Sequence, residues 1–487
     1  MIKLSSRLIL TIIILLLVLV KPAWAELNYL KHASGIFNER QYQEVVFITG
    51  EPILMTGTAE VRPGRERNGT MDIRYTIKLE NKEQDATLTR NITLLIAKDQ
   101  GANSQEIKNL SLSRYNERVD IGNARYELTD YQYSKSLLSD VRPAVTYYSG
   151  AWTERKTYTL NRNVAEIVIE TIGDGVGYQH NWGNTEAQHL QYQLASKSLE
   201  NNQNERHNWV GNGTVQLAFN FSKELFYQNN EPTQISFPGG YNTSTKWENI
   251  LSYTASLPQT NGNGELTGRN VSYSNRIILS SMPVITKLPS HQIFDIRGHW
   301  AQQAIERLVG LGAFNSEGAF FGPALPMRRS EFAKAIVVIT DMETEITAEE
   351  EAIFADVPST HRDYEYIVKV QKLGVIKGLG PNQFAPDGEL TRAQAITIMI
   401  RALGLEGIAP NPGFKTNFVD NNTIPNWAMD SIYVAQEIGL VMGDSHGYLW
   451  PNDILTRAEA AIMIDRFINY MQAEIKEDYR ERLINFR

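Results

Sequence analysis

Three segments in the C-terminal part of the 487-residue chain repeat one another at fixed internal intervals, and this periodicity constrains the fold more than any other feature. The copies open at Phe294-Asp295, Phe354-Ala355-Asp356 and Phe418-Val419-Asp420. Trp300 and Trp427 are followed five residues later by Ile305 and Ile432; in the second copy the matching pair is Arg362 and Ile367. Seven residues after each isoleucine stands a glycine, Gly312, Gly374 or Gly439. Eleven or twelve residues further comes Pro323, Pro386 or Pro451, and six beyond that Arg329, Arg392 or Arg457. A unit this short has too little apolar surface to stand alone, so the three must share a core.

Each copy reads as helix, loop, helix. Trp300, Ala304, Ile305, Leu308 and Leu311 recur at helical spacing, and Gly312 sits where a left-handed cap ends a helix. The second helix starts at a capping box in two copies, Thr391-Arg-Ala-Gln394 and Thr456-Arg-Ala-Glu459. The arginine then occupies the first helical position, where the macrodipole disfavours a cation by some tenths of a kcal/mol. An arginine beside free N–H groups at a helix start suits an anion such as a carboxylate, and an ion pair with a neighbouring Asp or Glu is the structural alternative.

The stretch from 26 to 285 predicts an all-β, sandwich-like region. Met71–Leu79 and Val215–Phe221 alternate apolar and polar residues, and Asn91–Ile96 and Ala165–Glu170 are rich in β-branched residues. Asn68-Gly69, Asn212-Gly213, Asn261-Gly262 and Gly239-Gly240 read as turns. Sixteen of the 22 tyrosines fall before residue 284, which fits half-buried strand positions before it fits a sugar-stacking surface.

Residues 1–25 read as a secretory signal: Lys3 and Arg7 precede an apolar run from Leu8 to Val20, and Ala23-Trp24-Ala25 offers a cleavage site. With no cysteine, the chain excludes disulfides, thiolate metal sites and cysteine nucleophiles. A net charge of -8 disfavours a nucleic-acid partner, since that requires a broad cationic face.

The repeats resemble three tandem S-layer homology units. The resemblance rests on Phe294-Asp-Ile-Arg-Gly-His-Trp-Ala301, on Phe354-Ala-Asp-Val-Pro358 with Leu390-Thr-Arg-Ala-Gln394, and on Phe418-Val-Asp420 with Asn426-Trp-Ala428 and Leu455-Thr-Arg-Ala-Glu459. It implies an all-α, pseudo-threefold domain whose grooves bind secondary cell wall polymer, often one carrying pyruvylated N-acetylmannosamine. The arginines of the box, Arg329, Arg392 and Arg457, would face the acidic ketal. Trp300, Trp427, Gly378 and Gly443 would frame the sugar. Copy two departs at Arg362 and Asp363, where the family has tryptophan and alanine. Copy one departs at Arg328, which replaces the capping threonine, and at Ser316, which replaces the loop glycine. One or two working grooves are therefore expected rather than three.

The expected organisation is a signal at 1–25, a β-rich surface region at 26–285, a linker at 286–293, repeats at 294–342, 354–405 and 418–470, and a charged tail at 471–487. A cut in the linker is expected to leave two folded parts. The β-region offers no G-x-S-x-G elbow, H-E-x-x-H pair or phosphate loop. Gly173-Asp-Gly175-Val-Gly177 reads as a hairpin turn, and His180, His189 and His207 lack the close spacing of a metal site. Trp182 and Trp209 are expected to be buried, with an exposed sugar-stacking pair as the alternative. No cofactor, metal or catalytic residue is assigned. The expected product is a secreted, wall- or S-layer-associated protein, its partners being wall polymer or peptidoglycan-linked polysaccharide and other surface proteins. A wall-anchored polysaccharide-cleaving enzyme is the alternative, because carboxylate pairs for glycoside cleavage leave no sequence signature.

Overall fold

The computed structural model describes residues 34–475, apart from 39–40, 102–104, 200–204, 230–238, 262–264, 317, 343, 345–353, 381 and 411–413. The expected signal at 1–25, Gly262, and most of the acidic stretch from Asp341 to Glu351 lie outside the described residues.

Strands run in chain order as β1 (Ile36–Phe37), β2 (Tyr42–Val46), β3 (Ile53–Pro63), β4 (Thr70–Asn81), β5 (Ala86–Gln100), β6 (Gln105–Ile121) and β7 (Ala124–Val141). They continue as β8 (Val145–Leu160), β9 (Ala165–His180), β10 (Gly183–Ser198), β11 (Trp209–Gln228), β12 (Gly240–Thr260), β13 (Leu266–Ser280) and β14 (Val284–Lys287). From β1 to β13 each pairs antiparallel with the next, and β14 joins β12 beyond the end of β13. This is one meandering sheet, not the expected sandwich. It curls until β1 returns to the far side, where the Asn249 side-chain amide donates to the Phe37 carbonyl and Phe37 stacks on Phe219 at 5.6 Å. Thr260 Oγ1 likewise donates to Thr49 O at 2.6 Å. The result is a nearly closed barrel around a single core.

Alternation sets which face is inside. In β4, Ile73, Tyr75, Ile77 and Leu79 are buried while Arg74, Lys78 and Glu80 are exposed. Charged outward positions are the reverse of a lipid-facing band. No helix among the described residues is long and apolar enough to cross a membrane.

Two expected turns are strand interiors. Asn212-Gly213 lies within β11, pairing with Ser256 and Ala255 on one side and Gln193 and Tyr192 on the other. Gly173, Gly175 and Gly177 lie along β9, facing inward. A Cβ on Gly173 would strike the Trp152 indole, and one on Gly177 the Tyr148 ring, so bare backbone makes room for aromatic rings from β8. Asn68 and Gly69, with φ of 52° and 70°, do form the expected turn.

Six α-helices follow among the described residues: α1 (Gln302–Gly310), α2 (Arg329–Thr340), α3 (Tyr364–Lys372), α4 (Arg392–Leu403), α5 (Met429–Glu437) and α6 (Arg457–Asn469). Gly312, Gly374 and Gly439, with φ near 70°, terminate the first helix of each copy as the sequence predicts. Residues 470–475 continue from α6 with Tyr470, Met471 and Ile475 buried, so the expected tail begins inside the core and its remainder lies outside the described residues.

The helical region and the barrel share a core. Ala144, Val145, Tyr178 and Trp182 are buried in the same cluster as the helical side chains. Trp182 Nε1 and Asn181 Nδ2 donate to Ile339 O at 2.7 and 2.9 Å, and Ala144 N donates to Ala402 O at 2.8 Å. The expected linker is correspondingly short: 284–287 is strand, Leu288 N bonds Tyr241 O, and Ile293 is buried, leaving 289–292 exposed.

Candidate functional site

The three copies close on themselves. Met327 N donates to Leu455 O, Leu455 N to Leu390 O, and Leu390 N to Met327 O, a ring of three bonds at 2.8–3.0 Å. Around it α2 packs on α3, α4 on α5, and α6 on α1. The aspartate that opens each copy fastens the loop before the proline. Asp295 accepts from the N–H groups of Phe321 and Gly322, Asp356 from Phe384 and Ala385, and Asp420 from Leu449 and Trp450, at 2.6–3.1 Å. Spacing exposed these aspartates without showing this role.

The capping boxes form as read: Thr391 accepts from Gln394 N and Thr456 from Glu459 N, while both side chains reach back. Arg328 provides no side-chain cap, as expected. The helix-start N–H groups, however, are not free. Those of Arg329 and Ser330 donate to Gly388 O and Pro386 O, those of Arg392 and Ala393 to Asp453 O and Pro451 O, and those of Arg457 and Ala458 to Leu325 O and Pro323 O. The next copy's loop satisfies them, so any anion must be met by side chains.

The arginines differ. Arg457 is held by Glu331 Oε1 at 2.6 Å and by Asn315 O at 2.8 Å, with its guanidinium 4.4 Å from the Phe321 ring centre. Glu331 also lies 3.6 Å from Arg362. Arg329 is buried, donating from Nε to Phe384 O at 2.9 Å, and that burial lowers its pKa, partly countered by Asp356. Arg392 pairs with Glu459 at 2.8 Å but keeps 22% of its side chain exposed, against 9% for Arg457. Burial pushes the Glu459 carboxyl up, but bonds from Thr456 and Arg392 bring it below the usual range.

One seam thus gathers the copy-three arginine, the copy-one loop and the start of the first helix of copy two. Arg329 likewise reaches the copy-two loop, its guanidinium donating to Lys377 O, next to Gly378, at 3.5 Å. Two of the sequence departures, Ser316 and Arg362, fall in the Arg457 seam, and a third, Arg328, stands at the N-cap of the helix that Arg329 starts. Trp300 and Trp427 are 65% and 52% exposed, free to meet a ligand. Gly378 and Gly443 have a packing reason for lacking a side chain: a Cβ would lie 2.5 Å from Gln383 O in one loop and 2.9 Å from the Gly447 backbone in the other.

The barrel interior holds a second polar group that the sequence did not reveal. Arg90 forks to Glu44 at 2.7 and 2.9 Å and to Glu117 at 2.7 and 3.0 Å, while Tyr158 donates to Glu117 and Lys156 pairs with Glu154 at 2.9 Å. Burial alone would raise the Glu117 carboxyl, but Arg90 and Lys156 bring it down to about 2. The adjoining space, lined by Tyr75, Tyr131, Tyr133, Glu154 and Lys156, is about 20 Å³, room for a water but not a sugar. The histidines do not meet: His180 stacks on Tyr178, His189 lies beside Asp174, and His207 is in a short 3-10 turn. Trp182 and Trp209 are both buried.

Comparison with known proteins agrees with the repeat geometry. The S-layer homology domain pattern matches residues 295–333, 353–396 and 417–461. Over 200 residues the chain is 29% identical to the surface-layer 125 kDa protein of Lysinibacillus sphaericus, covering 40% of this chain and 16% of that one. It is 30% identical over 169 residues to S-layer protein EA1 of Bacillus anthracis, covering 34% and 19%. It is 34% identical over 130 residues to an endoglucanase of Bacillus sp. strain KSM-635, covering 26% and 13%. The chain thus spans less than a fifth of the length of each of these relatives. Its C-terminal part carries three S-layer homology domains.

Proposed function

We propose that this chain is an exported protein held noncovalently at the cell wall. Its helical region binds an anionic, pyruvylated secondary wall polysaccharide, and its barrel is displayed as a structural or adhesive module. The observation that carries the reading is that Arg392 is the most exposed of the three arginines; by a threefold relation extended from the Arg457 seam, its seam would also hold Trp300 and the Gly443 loop. A ketal carboxylate there would compete with Glu459 for the guanidinium, while an exposed indole covers the apolar face of the sugar. By the same relation the Arg329 seam would hold Gly378 and Trp427, and it is the second groove, with a more deeply buried arginine. In the Arg457 seam, Glu331 already supplies the carboxylate and Arg362 stands where a tryptophan would stack, so it serves to tie the copies together.

The barrel is read as noncatalytic. The carboxylates of Glu44, Glu117 and Glu154 are each paired with a cation, and the space beside them cannot admit a sugar. The endoglucanase relative keeps the enzymatic reading in view, and release of reducing ends from wall polysaccharide by the intact chain would establish it. For the binding claim, the intact chain should cosediment with sacculi that retain their polysaccharide and stay in the supernatant once it is extracted. Equal sedimentation with both would refute it.

A further inference from the structure

One residue of the third copy is out of keeping with its place. Trp450 has φ of 56°, in the left-handed region that bulky side chains avoid, and the other two copies fill this position with Gly322 (φ 72°) and Ala385 (φ 56°). Folding the loop does not require a tryptophan there. Its backbone N–H donates to Asp420 Oδ2 at 2.8 Å, as in every copy. Its indole Nε1 donates to Asp444 Oδ2 at 3.0 Å, and its ring stacks on Tyr448 with centres 5.0 Å apart and planes 20° from parallel. Asp444 also accepts from the backbone N–H groups of His446 and Tyr448, so the indole is pinned to a loop that is itself tied down. Despite these holds, 47% of Trp450 faces solvent. The platform borders the Arg392 seam: the next residue, Pro451, accepts the Ala393 N–H at 2.8 Å, and Asp453 accepts the Arg392 N–H at 3.0 Å.

We propose that Tyr448 and Trp450 form an aromatic platform on which a pyranose ring of the wall polysaccharide stacks, beside the sugar engaged by Arg392. This rests on the polysaccharide reading given above. An exposed indole, held nearly parallel against the Tyr448 ring that backs it, complements the C–H face of a hexopyranose, and its continuity with a charged groove suits a polymer presenting an acidic sugar next to an uncharged one. The left-handed backbone belongs to this loop in all three copies, so a tryptophan there carries a strain that glycine would not.

The test uses the full chain, with Trp450→Gly and Tyr448→Ala compared with Arg392→Ala. Two probes are titrated: the methyl glycoside of pyruvylated N-acetylmannosamine, and a longer fragment of pyruvylated wall polysaccharide. Trp450→Gly should bind the fragment about tenfold more weakly. It should bind the single sugar as the parent does, and melt no lower, since glycine suits that φ. Tyr448→Ala should follow it in binding, and Arg392→Ala should lose both probes. Fragment binding that is unchanged in Trp450→Gly and Tyr448→Ala, with loss in Arg392→Ala, overturns the platform alone. Failure of the parent to bind either probe overturns the polysaccharide reading and the platform with it.

Discussion

Replacing Trp182 with alanine should uncouple the barrel from the helical region. The side chain is 1% exposed, sits at the β9–β10 turn, and lies inside the core cluster formed by the helical repeats. Deleting a buried tryptophan typically costs about 3–5 kcal/mol. Ile339 O would keep its bond from Asn181, so no carbonyl is orphaned and the loss is one of packing. Against a typical domain stability of about 5–15 kcal/mol, this is enough to break a shared transition. Urea unfolding followed by helical ellipticity and by tyrosine absorbance should give coincident curves in the parent and separate curves in Trp182→Ala, the helical signal moving to lower urea. Trp209→Ala, in the barrel's own core, should lower stability without separating them. Two well-separated transitions in the parent would show that the sequence-based expectation of independent parts was right and the shared core of little consequence.

Glu117, with its carboxyl held at about 2 against the usual 4.5, contributes stability that is complete above about 4.5 and lost as pH falls toward 2. Melting temperatures should drop through that window by the equivalent of about 3 kcal/mol, and Glu117→Gln should show a shallower drop from an already lower starting point. Thr456→Ala removes a side chain that caps Glu459 N, so it should cost about 1 kcal/mol in denaturant titrations; Arg328, which makes no capping bond, should be replaceable by threonine with a gain of similar size. Asp356→Ala frees two loop N–H groups in copy two and should lower the melting temperature, with faster hydrogen exchange at Phe384 and Ala385.

The helical half was legible because its signals are local. A capping box needs three residues and a cap glycine one, so Thr391, Thr456, Gly312, Gly374 and Gly439 stand where spacing put them. The barrel was legible only strand by strand. Alternation in Met71–Leu79 reports a buried face but not what covers it, and one curled sheet and two stacked sheets share that pattern. Asn212-Gly213 carries a turn signature, yet strands on both sides pair straight through it, a tertiary override of a local preference. Which residues share a seam was not legible in the sequence, for a further reason. Arg457 and Glu331 are 126 residues apart, and only the cyclic packing shows that Ser316 and Arg362, from different copies, spoil the same seam. The buried Arg90 cluster joins β2, β5, β6 and β8, and each residue alone reads as an ordinary strand charge.

The most direct test of the account compares Arg392→Ala with Arg457→Ala in the full chain. Each is assayed for cosedimentation with sacculi carrying native or pyruvyl-stripped polysaccharide, and for melting temperature. Loss of a hydrogen bond to a charged group is worth about 1.5–3 kcal/mol, or roughly 10- to 150-fold in affinity. Arg392→Ala should lose that much on native sacculi and nothing further on stripped ones, while Arg457→Ala should bind as the parent does but melt lower because Glu331 loses its closest cation. Binding abolished by Arg457→Ala and untouched by Arg392→Ala would contradict the account.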